Sequence, residues 1–247
     1  MAAANDVAND VRALLFDVFG TVVDWRTSIG RDLTAYGETQ GFAGRGIACD
    51  WVAFVDDWRA LYQPAMEEVR SGRRPWTILD TLHRESLDRL IEKHRLAGLT
   101  EAEIDHINRA WHRLEPWPDV PAGLARLKQR FIIGPLSNGN VGLLVRMARH
   151  AGLPWDVVLS SETAHAYKPL PAAYLNSAAI LNLAPRQVML VAAHNSDLKA
   201  AAATGLRTGF VARPTEYGPH QSRDFKADGP WDVVCSSFGE LAGQMGC

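Results

Sequence analysis

The stretch that most limits what this chain can fold into is the apolar run at residues 13–16, which ends in Asp17 and runs straight into Gly20-Thr21. A short, uninterrupted apolar run suits a strand buried on both faces, and such a strand needs a sheet with helices above and below it. Residues 23–114, however, carry no further strand pattern. Ile29, Leu33 and Tyr36 fall at helical spacing, and Gly41 and Gly46 then break the chain. Trp51, Phe54, Val55, Trp58, Leu61 and Tyr62 make one helical face, expected to be interrupted or kinked near Pro64. Thr77-x-x-Asp80 has the form of a capping box and predicts a helix that buries Leu79, Leu82, Leu87, Leu90 and Ile91. Thr100-x-x-Glu103 predicts another, burying Ile104, Ile107, Trp111 and Leu114. Four main helices are expected in this segment.

Pro116, Pro118 and Pro121 cannot continue a helix and mark a boundary. Beyond them strands and helices alternate: strands at 130–136, 156–160, 187–193, 208–212 and 233–234, helices at 141–151, 171–181 and 197–204. This alternation predicts a mostly parallel sheet covered on both faces. The strand before Asp17 must belong to that sheet. The expected fold is therefore α/β, a Rossmann-like, mostly parallel core built from residues 1–22 and 115–247, with residues 23–114 inserted as an α-helical cap. Trp25, Trp51, Trp58, Trp76, Trp111 and Trp117 lie in the cap or its linker. Their expected role is cap packing, with one or two walling the cleft.

Composition narrows the function. The 247 residues are 47% hydrophobic, enough for a proper core. A net charge of -2 gives no electrostatic reason to bind nucleic acid or an anionic membrane. Cys49, Cys235 and Cys247 are too scattered for a disulfide framework or a zinc site. Residues 1–12 are polar and Ala-rich, and no run approaches the roughly 18 apolar residues of a membrane span. A cytoplasmic enzyme without a metal or other cofactor is the expectation.

In open α/β sheets ligands bind beyond the carboxyl ends of the strands. The polar residues there are Asp17 with Thr21, Ser137 with Asn138, Lys168 before Pro169, and His194 to Asp197. Asp17-x-x-Gly-Thr, Ser137-Asn138, Lys168-Pro and Asp197, in this order, resemble the four motifs of the haloacid dehalogenase superfamily, and the resemblance spans nearly the whole chain. Most of that superfamily are phosphatases, which resemble Asp-x-Asp-Gly-Thr at the first motif and hold magnesium with acids at the last. Here Phe19 stands where the proton-donating Asp would be, and Ala193 where one of the metal-holding acids would be. Halide displacement needs no proton for its leaving group, so the resemblance narrows to the L-2-haloacid dehalogenases. Trp58-Arg59 looks like that branch's halide-binding helix, and Lys168-Pro-x-Pro-x-x-Tyr174 like its Lys and Tyr pair.

The resemblance implies a role for each residue. Asp17 attacks C2 of a short 2-haloacid, inverting it and forming an ester. Arg59 with Asn138 holds the halide, and Phe19 lines the pocket. Thr21 and Ser137 orient Asp17 or the substrate carboxylate. Lys168 keeps Asp17 ionised, Asp197 positions Lys168 and activates the hydrolytic water, and Tyr174 adds a hydrogen bond near Asp17 or the substrate. The branch commonly has Ser-Ser-Asn before the final Asp, whereas this chain has Ala192, Ala193 and His194. His194 is expected to line the pocket and to assist the water as a base poised near neutral pH. A homodimer is also implied by the resemblance.

Each residue also has a structural reading. Arg59 reads equally as a solvated helix residue, Lys168 as a loop lysine, Tyr174 as a packing tyrosine, and Ser137 and Asn138 as helix caps. Asp197 is stabilised in any case if it opens a helix. Three other functions stay open: hydrolytic opening of a strained ring by the same Asp, with His194 as the acid, a residual magnesium-dependent phosphatase, and a non-enzymatic binding module.

Overall fold

The computed structural model describes residues 7–247, so part of the polar start read at 1–12 lies outside the described residues. Six strands form one parallel sheet in the order β3-β2-β1-β4-β5-β6. They are β1 (Ala13–Phe16), β2 (Ile132–Ser137), β3 (Leu159–Ser160), β4 (Val188–Ala192), β5 (Arg207–Val211) and β6 (Val233–Cys235). β1 is central, with Phe16 opposite both Pro135 of β2 and Val191 of β4. Leu14 and Phe16 join the core on one face of the sheet and Ala13 and Leu15 the core on the other. This two-faced burial is why the run is uniformly apolar.

Four α-helices lie between β1 and Pro116: α1 (Trp25–Thr39), α2 (Trp51–Arg70), α3 (Leu79–Lys93) and α4 (Glu101–Asn108). α1 is capped by Asp24, whose carboxylate accepts from Thr27 N–H, and α2 by Asp50, which accepts from Val52 and Ala53. Thr100 and Glu103 make both halves of the expected capping box of α4. Trp51, Phe54, Val55, Trp58, Tyr62 and Met66 are the buried face of α2. Trp25, Trp58 and Trp111 are fully buried together, ring against ring.

Two local expectations are corrected. α2 is not interrupted at Pro64 and runs through it to Arg70. Pro64 removes one backbone donor, and the continuous buried face on either side of it outweighs that loss. α3 begins at Leu79 with no side-chain cap, not at a Thr77 box. The Thr77 hydroxyl is engaged by Arg74 Nε and the Pro75 carbonyl, while the Asp80 carboxylate faces His112 and Asn140. Tertiary hydrogen bonds thus displace a local one.

After the boundary prolines come α5 (Val120–Leu127), α6 (Val141–Ala151), a single helical turn at Ser161–Ala164, α7 (Pro171–Ile180), α8 (Asn195–Ala203) and α9 (Phe238–Gln244). The strand expected over 156–160 is only two residues long, because Asp156 spends its side chain on Ile133 N–H and Lys128 before the ladder starts. α5 and α9 had no expectation. Each is short, and they pack on each other, with Gly123 meeting Phe238 so closely that a Cβ would lie 2.3 Å from it.

Candidate active site

The strand order reverses between β1 and β4, and the chain leaves both strands there at their carboxyl ends. Asp17 follows β1 and donates its N–H to Val191 O, and His194 follows β4 as the residue before α8. A cleft of about 1060 Å³ opens above them, lined by Asp17, Phe19, Arg59, Tyr62, Asn138, Lys168, His194 and Asp197 among others.

Asp17 is 7% exposed and both carboxylate oxygens are used. Oδ1 accepts from Lys168 Nζ at 2.9 Å. Oδ2 accepts from the Thr21 hydroxyl at 2.8 Å and lies 3.1 Å from His194 Nδ1. Thr21 is itself fixed, because its oxygen accepts from Ala193 N–H at 2.9 Å. Burial alone would push the Asp17 carboxyl up, but the Lys168 and His194 cations reverse this and hold it well below the usual range.

Lys168 is clamped through its backbone. Its N–H donates to Asn138 Oδ1 at 2.9 Å and its carbonyl accepts from Arg70 Nη1 of α2 at 3.0 Å. Nζ bridges Asp17 and Asp197 Oδ2. Burial would lower the ammonium's pKa, and the two carboxylates raise it above normal, so Lys168 stays charged. Asp197 sits in the first turn of α8, and its Oδ1 accepts from the Tyr174 hydroxyl at 2.6 Å. Burial, with Asp197 adding to it, raises the Tyr174 phenol, which therefore remains a donor.

His194 departs from expectation. Its Nε2 lies 2.8 Å from Glu216 Oε2, and Glu216 is 1% exposed, also held by Trp25 Nε1 at 3.1 Å. Burial would lower the imidazole's pKa, but Glu216 and Asp17 on its two nitrogens raise it well above 6.5. Both contacts favour the protonated ring, which runs against the expectation of a base poised near neutral pH. Burial would raise Glu216, and His194 together with Arg59 and Trp25 lowers it.

Ser137 also departs. It is fully buried, and its hydroxyl accepts from Gly139 N–H at 3.2 Å. Among the described residues it makes no hydrogen bond to Asp17, so of its two expected targets Asp17 is excluded, and the Gly139 contact fits the helix-entry reading. Tyr174 reaches Asp197 and not Asp17. Asn138 Oδ1 is occupied by Ser161 Oγ and Lys168 N–H, which leaves its amide NH₂ for the cleft beside Tyr62. The Arg59 guanidinium lies over the Tyr62 ring at 4.2 Å and the Trp25 ring at 5.4 Å, and its Nη1 is buried with no hydrogen-bond partner among the described residues. Phe19 packs edge-on against Tyr62 and Trp111. The tryptophan that walls the cleft is Trp231 of the core, and none of the cap tryptophans does so.

The sequence reading missed Glu216 and Asn195. Both depend on the long connection at residues 212–232, between β5 and β6. Asn195 spends its amide on Asp224, Lys226, Asp228 and Trp231, tying that connection to the start of α8. An acid in a polar loop carries no signal of its own. The one trace is Gly20, whose φ of +91° and missing Cβ leave room for Glu216.

Together these side chains make a buried, ionised carboxylate fixed by two cations, beside a third cation with an unused donor. That arrangement suits attack on an electrophile that releases an anion. Comparison with known proteins bears on which one. Residues 11–205 match the family described as haloacid dehalogenase-like hydrolase. The solved structure of a defluorinating L-2-haloacid dehalogenase is 49% identical, covers 96% of each chain and superposes with a TM-score of 0.91. A second L-2-haloacid dehalogenase structure is 48% identical over 95% of this chain and 98% of its own, also with a TM-score of 0.91. The (S)-2-haloacid dehalogenase of Xanthobacter autotrophicus is 27% identical over 82% of this chain and 76% of its own length.

Proposed function

Because the chain belongs to the haloacid dehalogenase-like hydrolases, in their L-2-haloacid dehalogenase branch, we propose that it hydrolyses short 2-haloalkanoic acids to 2-hydroxy acids through an ester on Asp17. The observation that carries this reading is the pairing of Asp17 with Lys168 at 2.9 Å, in a cleft where Phe19 stands in place of a proton-donating acid. A depressed carboxyl pKa keeps Asp17 anionic, and a leaving group that departs as a weakly basic halide needs no proton.

In the first step an Asp17 oxygen attacks C2 from the side opposite the halogen, and the C–X electron pair leaves with the halide. Arg59 Nη1, with the Asn138 amide, receives that anion. A guanidinium is weakly hydrated and permanently charged, which suits it to a half-buried aromatic cradle. In the second step water adds to the Asp17 ester carbonyl. Asp197, held by Lys168 and Tyr174, takes the water proton, and the 2-hydroxy acid leaves. No step requires a metal or an organic cofactor. Residues 23–114 form the cap over the core in this reading. A homodimer follows from the family resemblance and a cytoplasmic location from the sequence reading; light scattering would test the first and cell fractionation the second.

Fluoroacetate belongs among the substrates. The 49% identical relative is described as defluorinating, and the unpaired Nη1 of Arg59 is a donor free to stabilise fluoride. The decisive assay is halide release from chloroacetate, both 2-chloropropionate enantiomers and fluoroacetate in EDTA. Release from the S enantiomer, inversion at C2 and complete loss in Asp17→Asn are expected. In ¹⁸O water under single turnover, the label should enter Asp17 and be absent from the first product. Failure to release halide from any of the four acids would sink the dehalogenase reading.

A further inference from the structure

The two oxygens of Asp17 are not equivalent. Oδ1 carries one hydrogen bond, from Lys168, whereas Oδ2 faces both the Thr21 hydroxyl and His194 Nδ1. The less encumbered Oδ1 is the better nucleophile. When it has formed the ester, Oδ2 becomes the carbonyl oxygen, and its two donors already converge on the atom where charge will develop. We propose that Thr21 and His194 form the oxyanion site for hydrolysis of the Asp17 ester, and that Glu216 is the positioning residue that holds the His194 ring against Oδ2.

The proposal rests on the aspartyl-ester reading above and deepens it. Alkylation forms Oδ1–C2 as C2–X breaks, with the electron pair leaving on the halide. Water then adds to Cγ, its proton passes to Asp197, and the carbonyl π pair moves onto Oδ2. Collapse of that oxyanion breaks the Cγ–Oδ1 bond. The product alkoxide recovers the proton from Asp197, and Asp17, left with the second proton of the water on its carboxyl, releases it to solvent and is again a carboxylate. His194 keeps both its protons throughout, so it can donate to Oδ2 at the moment of greatest charge, in a site from which bulk water is largely excluded.

The groups around His194 suit this task. Asp17 faces Nδ1 from the end of β1 and Glu216 faces Nε2 from the β5–β6 connection. Arg59 of α2 bears on both of those carboxylates, and Lys168 holds the other oxygen of Asp17. Esterification removes the negative charge of Asp17, and Glu216 is then the anion left in direct contact with the imidazolium. A neutral imidazole held by a neutral partner would have no reason to keep its Nδ1 proton pointed at Oδ2. Trp25 Nε1 donates to Glu216 Oε1, the oxygen that also lies 3.0 Å from His194 Nε2, which restrains the carboxylate against the ring.

A base and an oxyanion donor at this position predict opposite pH dependence. Single-turnover reactions with (S)-2-chloropropionate separate the steps: the halide burst reports alkylation, and mass spectrometry of the Asp17 peptide reports the ester. In the wild type, ester hydrolysis should fall as pH rises through the raised pKa of His194. In Glu216→Gln the burst should remain visible while hydrolysis slows about 100-fold, the size expected for losing one oxyanion donor, and the falling limb should move to lower pH. Hydrolysis that accelerates as His194 deprotonates, or a Glu216→Gln enzyme that clears its ester at the wild-type rate, overturns the proposal. If Glu216→Gln does not fold, the sign of the wild-type pH profile decides alone. A wild type with no halide burst would instead overturn the dehalogenase reading.

Discussion

Glu216 occupies the space that a side chain on Gly20 would need: a Cβ there would lie 2.1 Å from Glu216 Oε1. Gly20 also has a φ of +91°, a backbone conformation that L-residues rarely adopt. Gly20→Ala should therefore cost about 1–3 kcal/mol of stability and push Glu216 off His194. Its turnover should fall in the hydrolytic step, with ester accumulating as in Glu216→Gln. A thermal melt and the same adduct measurement check both parts.

Lys168 is the cation shared by Asp17 and Asp197, so Lys168→Met leaves two carboxylates close together with no cation between them. Breaking a buried pair on one side costs about 3–5 kcal/mol, which denaturant unfolding would register. Without Lys168 the Asp17 carboxyl is held down less. The acid limb of the halide burst should move to higher pH, and the rate at pH 7 should drop.

Tyr174 donates to Asp197 and stays protonated across the working range because its phenol is pushed up. Tyr174→Phe deletes one hydrogen bond to a charged group, worth about 1.5–3 kcal/mol. The loss should appear as slower ester hydrolysis with an unchanged halide burst. Equal slowing of both steps would mean that Tyr174 acts on Asp17 after all.

The pair Asp17 and His194 sets a pH window for stability. The Asp17 pKa is depressed, so its stabilising effect is complete above 3.8 and fades as pH falls toward the folded value. The His194 pKa is raised, so its effect is complete below 6.5 and fades as pH climbs through the folded value. The stability difference between wild type and Asp17→Asn should thus be greatest between pH 3.8 and 6.5. Melting temperatures of the two proteins across pH 3 to 10 would reveal a flat difference if the coupling is absent.

Thr100→Ala serves as a control far from the chemistry. It removes the Thr100 half of the capping box of α4, for a cost of about 1 kcal/mol, and should leave halide release unchanged.

The four polar strand ends were legible because each is local: a short polar cluster after an apolar run can be read without knowing the fold. Asp17, Lys168, Asp197 and Arg59 all reach the cleft. What was not legible depends on distance. Nothing near residue 216 links it to residue 194, and the raised pKa of His194 follows from that contact together with the one to Asp17. The Thr77 box failed for a related reason, since Asp80 found Asn140 and His112 across the structure and a three-residue pattern cannot anticipate such competition. The cap tryptophans were read correctly as packing residues. The tryptophan at the cleft, Trp231, belongs to the same unread connection as Glu216.

That connection has two ends with different duties. Glu216, near its start, touches the catalytic charges, whereas Asp224 to Trp231 edge the mouth and are stapled by Asn195. Changes after Asp224 should therefore alter which molecules the cleft admits while leaving the contact between Glu216 and His194 in place.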